Sequence, residues 1–587
     1  VRGALPPEEG KLHPPRWNEG ILCFLYHGAD RMYRSLSIHF APTPDYTEGS
    51  TAQFLLRLKS EERVQISIWL TLAESQELSD VQPKAYEHPD ARSLSKNLRS
   101  TSDSWLANHT QVRSDNLFLN RILDRSWRDL HMLKSQLEGY EYFAAGVPWF
   151  VTLFGRDSLI AALEALAYAP DMAEHTLRLL AGYQGRTVDP ERDEEPGKML
   201  HELRIGEMAR LHEIPQTPYY GTIDATLLFL ILLGRHAAWT GNLNLFHELR
   251  APIEKALAWM AAYGDRNGDG YLEYQSASHQ GLANQGWKDS GDAIVNDDGS
   301  LAIPPIALVE VQGYAYLAKT TLADLYQRAG EPEWAERLRR EAEELRARFN
   351  QDFWLAERGI YALALQAEGR PAAVVSSNPG HALWSGIADP DKARRTVERL
   401  MAEDMFSGWG IRTLSTKERR YSPIGYHLGT VWPHDNALIA AGCRRYGCDD
   451  AALRLFNGLF EAATNFTHYR LPEVFSGFDR EDYEVPVPYP VACHPQAWAA
   501  AAMPFMLETL LGLTPEAFDH RLLIIHPLLP DFIGSLEVRR LRVGSASADL
   551  RFKRTSDGTV AVDVLNIAGR LDIELKPKAP SRPATQT

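Results

Sequence analysis

Cysteine is scarce in this chain: there are four, at 23, 443, 448 and 493, among 587 residues. So few and so scattered, they offer no disulfide framework. Cys443 and Cys448 lack a histidine pair at ligand spacing, so no zinc site is read. A reducing, cytoplasmic compartment fits that usage best. Long apolar runs are missing too. A membrane-crossing helix needs about 18 consecutive apolar residues, and the longest candidate, Leu227 to Leu233, is interrupted at Gly234-Arg235-His236. No signal-peptide pattern stands at the start, which is Val1 rather than Met. Positive charge is in deficit: 62 Lys and Arg against 77 Asp and Glu leave a net −15. That is the wrong sign for a nucleic-acid partner or an anionic membrane.

The chain is longer than the ~250–300 residues at which single cores stop growing, so several domains are expected. Residues 1–75 carry short alternating runs, including Ile21-Leu22-Cys23-Phe24-Leu25-Tyr26, Tyr33 to Phe40, Ala52 to Leu58 and Val64 to Leu72, that read as strands. Residues 76–115 are polar and read as a linker. From 116 to 515, apolar residues recur with helical period in about a dozen segments, joined alternately by short and long loops. That texture predicts a mainly α protein built as an α/α toroid, with the long loops gathered at one end as a pocket. Residues 516–575 alternate again and predict a small β appendix, and 576–587 are Pro/Ala/Ser/Thr-rich and expected to be disordered.

The chemistry concentrates in the long loops. Asn284-Gln285-Gly286-Trp287-Lys288-Asp289-Ser290-Gly291-Asp292 sets carboxylates beside an indole, amides and hydroxyls. Such surroundings suit a sugar, and a carboxyl desolvated against an indole has a raised pKa and can act as an acid near neutrality. Glu473 is an isolated carboxylate in the apolar stretch Leu471-Pro472-Glu473-Val474-Phe475. Glycoside hydrolysis needs two carboxyls, one to protonate the leaving oxygen and one to activate water or attack directly, and Asp289 and Glu473 are the candidates. Other clusters are Trp149-Phe150 with Arg156-Asp157, His201-Glu202, Asp224 at a helix start, and the wall of Tyr426, His427 and Trp432, with Trp498 downstream. Arg156 and Asp157 read as donor and acceptor for vicinal sugar hydroxyls. A calcium-like string from Asp265 to Glu273 has Ser276 where an EF-hand wants its bidentate Glu, and is read as a metal-free Asx turn. No metal and no cofactor are expected, and the expected partner is a neutral carbohydrate.

Taken in order, these clusters resemble the glucosidase domain of bacterial and archaeal glycogen-debranching enzymes and, more distantly, mannosylglycerate hydrolase, trehalase and glucoamylase. The resemblance covers about residues 115–515 and rests on Pro148-Trp149-Phe150, Gly155-Arg156-Asp157, Pro196-Gly197-Lys198, His201-Glu202-Leu203-Arg204, Asp224, Gln285 to Ser290, Glu310-Val311-Gln312-Gly313-Tyr314, His427 to Asn436 and Glu473. It implies an (α/α)6 toroid that inverts anomeric configuration on an α-linked glucoside, with Asp289 as general acid and Glu473 as general base. Inversion would set the two carboxyls ~6.5–9.5 Å apart. Asp292 is the rival acid, and Glu202 and Glu310 the rival bases. Sugar contacts are implied for Trp149, Phe150, Arg156, Asp157, His201, Glu202, Asp224 and Trp287. They are likewise implied for Lys288, Glu310, Gln312, Tyr426, His427, Trp432 and Trp498. The first 75 residues look like only the later part of such proteins' N-terminal β-sandwich. A missing first half, or a strand-donating partner, is therefore expected. Competing readings are a hydrolase of another small glycoside (an α-mannoside, a glucosylglycerate or a trehalose-type sugar), an inverting phosphorylase, and a binding protein that has lost catalysis.

Overall fold

A computed structural model describes residues 10–83 and 91–577. Apart from its first two residues, the expected disordered tail lies outside them. In chain order the helices are α1 (Ala91–Asn108), α2 (Leu117–Leu133), α3 (Gly155–Glu164), α4 (Pro170–Gly182), α5 (Glu207–Arg210), α6 (Ala225–Thr240), α7 (Asn244–Glu248) and α8 (Arg250–Trp259). They continue as α9 (Val309–Arg328), α10 (Pro332–Asp352), α11 (Pro379–Ser385), α12 (Pro390–Leu400), α13 (Pro433–Arg445), α14 (Asp449–Asn465) and α15 (Ala497–Leu511). None is long and apolar enough to cross a membrane among the described residues. The chain divides into two compact units, one of residues 1–105 with 204–217, the other of 106–203 with 218–587.

In the smaller unit an antiparallel sheet is built on the hairpin Ile21–His27/Tyr33–Ala41, with Ser67–Ser75 along the edge of Tyr33–Ala41. Only the second half of the run Val64 to Leu72 joins this sheet. The stretch Ala52 to Leu58 contributes just Thr51–Gln53, paired with Tyr46–Glu48. Ile68, Leu70 and Leu72 stand open on the edge strand at 54, 65 and 80% exposure. The excursion 204–217 docks on the sheet through α5. There Tyr26 Oη donates to Glu207 Oε2 at 2.8 Å, and Arg210 Nη1 donates to Asp30 Oδ2 at 3.0 Å.

In the larger unit, α6 (ATLLFLILLGRHAAWT) and α15 (AWAAAAMPFMLETLL) are apolar apart from a few residues such as Arg235 and Glu508, so nearly every side of each must be covered. Among the described residues they belong to a set of six inner helices, α3, α6, α9, α11, α13 and α15. Each packs on the next, and α15 returns to α3. The amphipathic α2, α4, α10, α12 and α14 lie against their outer sides. Glycine permits the close approach of α13 to α11: a Cβ on Gly442 would lie 2.7 Å from the Trp384 backbone nitrogen. The 76–115 segment, expected as an irregular linker, instead contains α1 and a strand, Gln111–Ser114. This strand joins Ser535–Val543, Ala546–Arg554 and Val560–Ala568 in a C-terminal sheet.

One inner-helix group is unusual. Glu164 on α3 has zero exposure, and neither carboxylate oxygen has a hydrogen-bond partner. Burial pushes this carboxyl well above its ordinary value. The fold therefore prefers the protonated acid, and the penalty grows as pH rises above the unfolded value near ~4.3. Glu164→Gln is expected to stabilise the protein at neutral pH and to lose that advantage near pH ~4. In urea titrations the gap should widen by up to about 1.4 kcal/mol per pH unit.

Candidate active site

The site, contained in the larger unit, starts from the first turn of α3. Gly155 is required there, because a Cβ would sit 1.9 Å from the Leu200 carbonyl oxygen. This lets the helix begin against the Met199–Leu203 segment, with Gly155 N donating to His201 O at 2.8 Å. Arg156 follows, its side chain 3% exposed. Its Nη1 donates to Asp224 Oδ2 at 3.1 Å and to Gly286 O at 2.8 Å, and its Nη2 to Asp289 Oδ2 at 2.8 Å. Asp224, at the start of α6 and fully buried, also accepts from Thr222 Oγ1 at 2.7 Å. Both residues were expected to grip sugar hydroxyls. In the structure they form a buried ion pair, because a guanidinium enclosed this deeply needs its own counter-charge.

Asp289 is thereby tied to α3, with its side chain 30% exposed. Burial raises its pKa above the ordinary value. Arg156 opposes that rise and Asp224 adds to it. The indole expected to desolvate it, Trp287, lies deeper, 2% exposed, stacked on His381 at 5.9 Å and edge-on to Trp432 and His434 at 5.6 and 5.0 Å. It packs the base of the loop rather than offering an open face.

Glu473 comes from the opposite part of the sequence and is 1% exposed. Its Oε1 accepts from Tyr426 Oη at 2.6 Å and its Oε2 from Cys493 N at 2.8 Å. Neither donor was expected in this role: Tyr426 was read as a sugar contact, and a backbone N–H leaves no trace in side-chain identity. Asp157 joins the two carboxyls electrostatically. Burial pushes its pKa up to about 7, against the pull of Arg156, and both Asp289 and Glu473 raise it further. Tyr426 is raised by burial, by Glu473 and also by Asp289. Residues 157, 289, 426 and 473 thus share one electrostatic neighbourhood. Gln496 donates Nε2 to Asp157 Oδ1 at 3.2 Å.

The aromatic wall is assembled as a cluster. Tyr426 and His427 lie 4.9 and 5.0 Å from Trp432, and Trp498 lies 6.0 Å beyond it. The His427 Nδ1 is bonded to the Ser290 hydroxyl, one residue past Asp289. Trp149 is 40% exposed and donates Nε1 to Val491 O at 3.0 Å, while Phe150 packs edge-on to Phe154 at 5.5 Å. His201 sits between Phe154 and Tyr219, and Glu202 pairs in a strand with Phe154.

Three further residues expected as sugar contacts are buried and bonded within the protein. Gln312 spends its amide on the Leu272 backbone at 2.9 and 2.7 Å, clamping a loop to α9. Glu310 is fully buried and accepts from Asn378 Nδ2 at 3.0 Å. Lys288 is 2% exposed and donates Nζ to Thr413 O at 2.7 Å. Of the rivals for catalysis, Asp292 is solvent-exposed, Glu202 is confined to its strand, and Glu310 is enclosed between helices. In the calcium-like string, Asp265 accepts from Gly268 N and Gly270 N, and Asp269 from Tyr271 N. Among the described residues no group of three or more His, Cys, Asp or Glu is arranged to hold a metal. Sequence reasoning also missed Asp193. Held at φ 49°, it gathers Tyr219 Oη at 2.8 Å and Ala277 N at 2.7 Å beside the Asp289 loop, and Gln285 Nε2 at 3.2 Å.

Comparison with known proteins places this geometry. No curated protein sequence matches the chain. In fold it is similar to a GH78 family rhamnosidase of Bacillus sp. GL1 (TM-score 0.57, 14% identity, 98% of this chain and 55% of that one). It is also similar to a sialidase (TM-score 0.58, 13% identity, 94% and 52%). The chain thus spans just over half the length of either. A GH63 mannosylglycerate hydrolase from Thermus thermophilus, in complex with Tris, is similar at TM-score 0.50 and 14% identity over 66% of this chain and 99% of that one. At these identities the likeness is one of fold alone. Residues 1–69 match the N-terminal domain of some glycogen debranching enzymes. Residues 89–481, which include Asp157, Asp289 and Glu473, match the mannosylglycerate hydrolase MGH1-like glycoside hydrolase domain, and the chain belongs to that family of glycoside hydrolases.

Proposed function

We propose that this glycoside hydrolase inverts configuration at an α-linked glucoside, in an (α/α)6 catalytic domain over residues 116–515. The observation that carries the reading is the bridge between the loops of Asp289 and Glu473: Tyr426 Oη donates to Glu473 Oε1 at 2.6 Å, and the next residue, His427, is bonded through Nδ1 to the Ser290 hydroxyl beside Asp289. The two carboxyls come from loops far apart in sequence. The cyclic packing of six inner helices, with further helices outside them, supports the toroid.

The environments suggest the division of labour. Asp289 is partly open, and burial favours its protonated form. It is the general acid, giving its proton to the glycosidic oxygen as the bond to the anomeric carbon breaks. Glu473 is enclosed by two donors that match an ionised carboxylate, the Tyr426 hydroxyl and the Cys493 N–H. It takes a proton from the water that attacks from the opposite face. Asp157, Trp149 and the Tyr426–His427–Trp432 wall then hold the sugar between them. The partner is a neutral carbohydrate, which needs no positive field. A second reading, another small glycoside, is favoured by the name of the matched family, which is that of a mannosylglycerate hydrolase. A phosphorylase would need a cation near the base, and Arg470 is committed bidentately to Asp129 at 2.8 and 2.7 Å.

A screen of α-glucosides, α-mannosides and trehalose-type sugars tests the substrate class, and release of sugar from none of them would defeat the proposal. On the responsive substrate, Asp289→Asn and Glu473→Gln should fold normally and each lose on the order of 10²–10⁴ in kcat. Near-normal turnover in either would reassign that role. Tyr426→Phe removes one hydrogen bond to a charged group, so kcat should fall roughly 10- to 100-fold. An unchanged kcat with a raised KM would return Tyr426 to simple sugar contact.

A further inference from the structure

Lys288 and Asp289 are neighbours in the chain, but their side chains have different destinations. Asp289 reaches Arg156 and stays partly open, whereas Lys288 is 2% exposed. A buried ammonium is costly unless it is hydrogen-bonded and balanced. Here Nζ donates to the Thr413 carbonyl at 2.7 Å and lies 5.1 Å from the Trp287 ring centre. Asp435 of α13 and Glu310 of α9 supply the opposing charge, while burial pulls the ammonium down to about 8.

The surroundings of those two acids belong to the inner helices. Glu310 accepts from Asn378 of α11, while Asp435 pairs with His381 at 2.7 Å, and His381 in turn with Tyr314 at 2.5 Å. Glu310 Oε2 and Asp435 Oδ2 have no hydrogen-bond partner, and both acids favour the Lys288 ammonium against its burial. Through the Thr413 carbonyl this one loop residue therefore anchors the Asp289 segment in the protein interior, at a point one peptide unit from the acid.

We propose that Lys288 is a positioning residue for Asp289: buried and held by the Thr413 carbonyl, it pins the loop so that the adjacent carboxyl is aimed at the leaving oxygen. The inference rests on the reading of Asp289 as general acid. Displacing a catalytic group by about 1 Å costs on the order of 100-fold in turnover. Loss of the pin should therefore fall on proton donation.

The test uses two substrates of the sugar that the screen identifies, an unactivated glycoside and the matching α-glycosyl fluoride, whose leaving group needs little protonation. Lys288→Met removes the charge at similar length. The double variant Lys288→Met with Glu310→Gln also removes one of the two facing acids, while Asp435 keeps its partner His381. Either folded variant, checked by thermal unfolding, should lose about 100-fold in kcat on the glycoside, with KM little changed and the fluoride only slightly affected. Equal losses on both substrates, or no loss on either, would overturn the proposal. Asp289→Asn serves as the control and should show the same selective loss. If it is selective and the Lys288 variants are not, only the positioning role falls. If its two substrates fall together, the acid assignment fails and takes the proposal with it.

Discussion

The site depends on one buried guanidinium. Arg156 links three segments, the first turn of α3, the start of α6 through Asp224, and the loop that carries Gly286 and Asp289. Removing one partner of a buried pair of this kind costs about 3–5 kcal/mol, because the other charge is stranded. The same arrangement explains an apparent contradiction. A carboxylate 2.8 Å from an arginine should be held low, yet Asp289 is raised. Asp224 takes much of the positive charge of Arg156 and adds its own repulsion, so burial prevails at Asp289. Arg156 thus aims the acid without drawing its pKa below the ordinary value.

Two polar layers follow from that arrangement. In the upper one, Asp157, Tyr426 and Glu473 gather beside Asp289, with Gln496 and the Cys493 N–H as supports. The lower one joins Lys288, Glu310, Asn378, Asp435, His381 and Tyr314 among the inner helices. Trp287 touches both layers, stacked on His381 and edge-on to His427. The loop of Gln285 to Ser290 is therefore held by Arg156, which bonds to Gly286 and Asp289, and by Lys288, which bonds to Thr413.

Much of this was legible in the sequence, and the failures share a cause. Helical periodicity exposed the long amphipathic elements such as α10 and α14, and the largely apolar α6. It missed α11, whose seven residues are too few to display a period. The segment 111–114 looked like linker because strand pairing with Ser535–Val543 is a long-range event without local signature. Motif order singled out Asp289 and Glu473. Residue type, however, could not separate a side chain that meets sugar from one that supports the site. Arg156, Asp224, Lys288, Glu310 and Gln312 all read as polar contacts, and each also makes hydrogen bonds within the protein. Asp193 and Cys493 went unseen because they act through backbone N–H groups or a left-handed backbone.

The central claim is that Asp289 and Glu473 act across one sugar ring with water between them. Proton NMR of the first sugar released from an α-glycoside, recorded before mutarotation, tests it most directly. The account predicts the β-anomer. Initial release of the α-anomer would mean that a carboxylate attacks the sugar itself, and would contradict it.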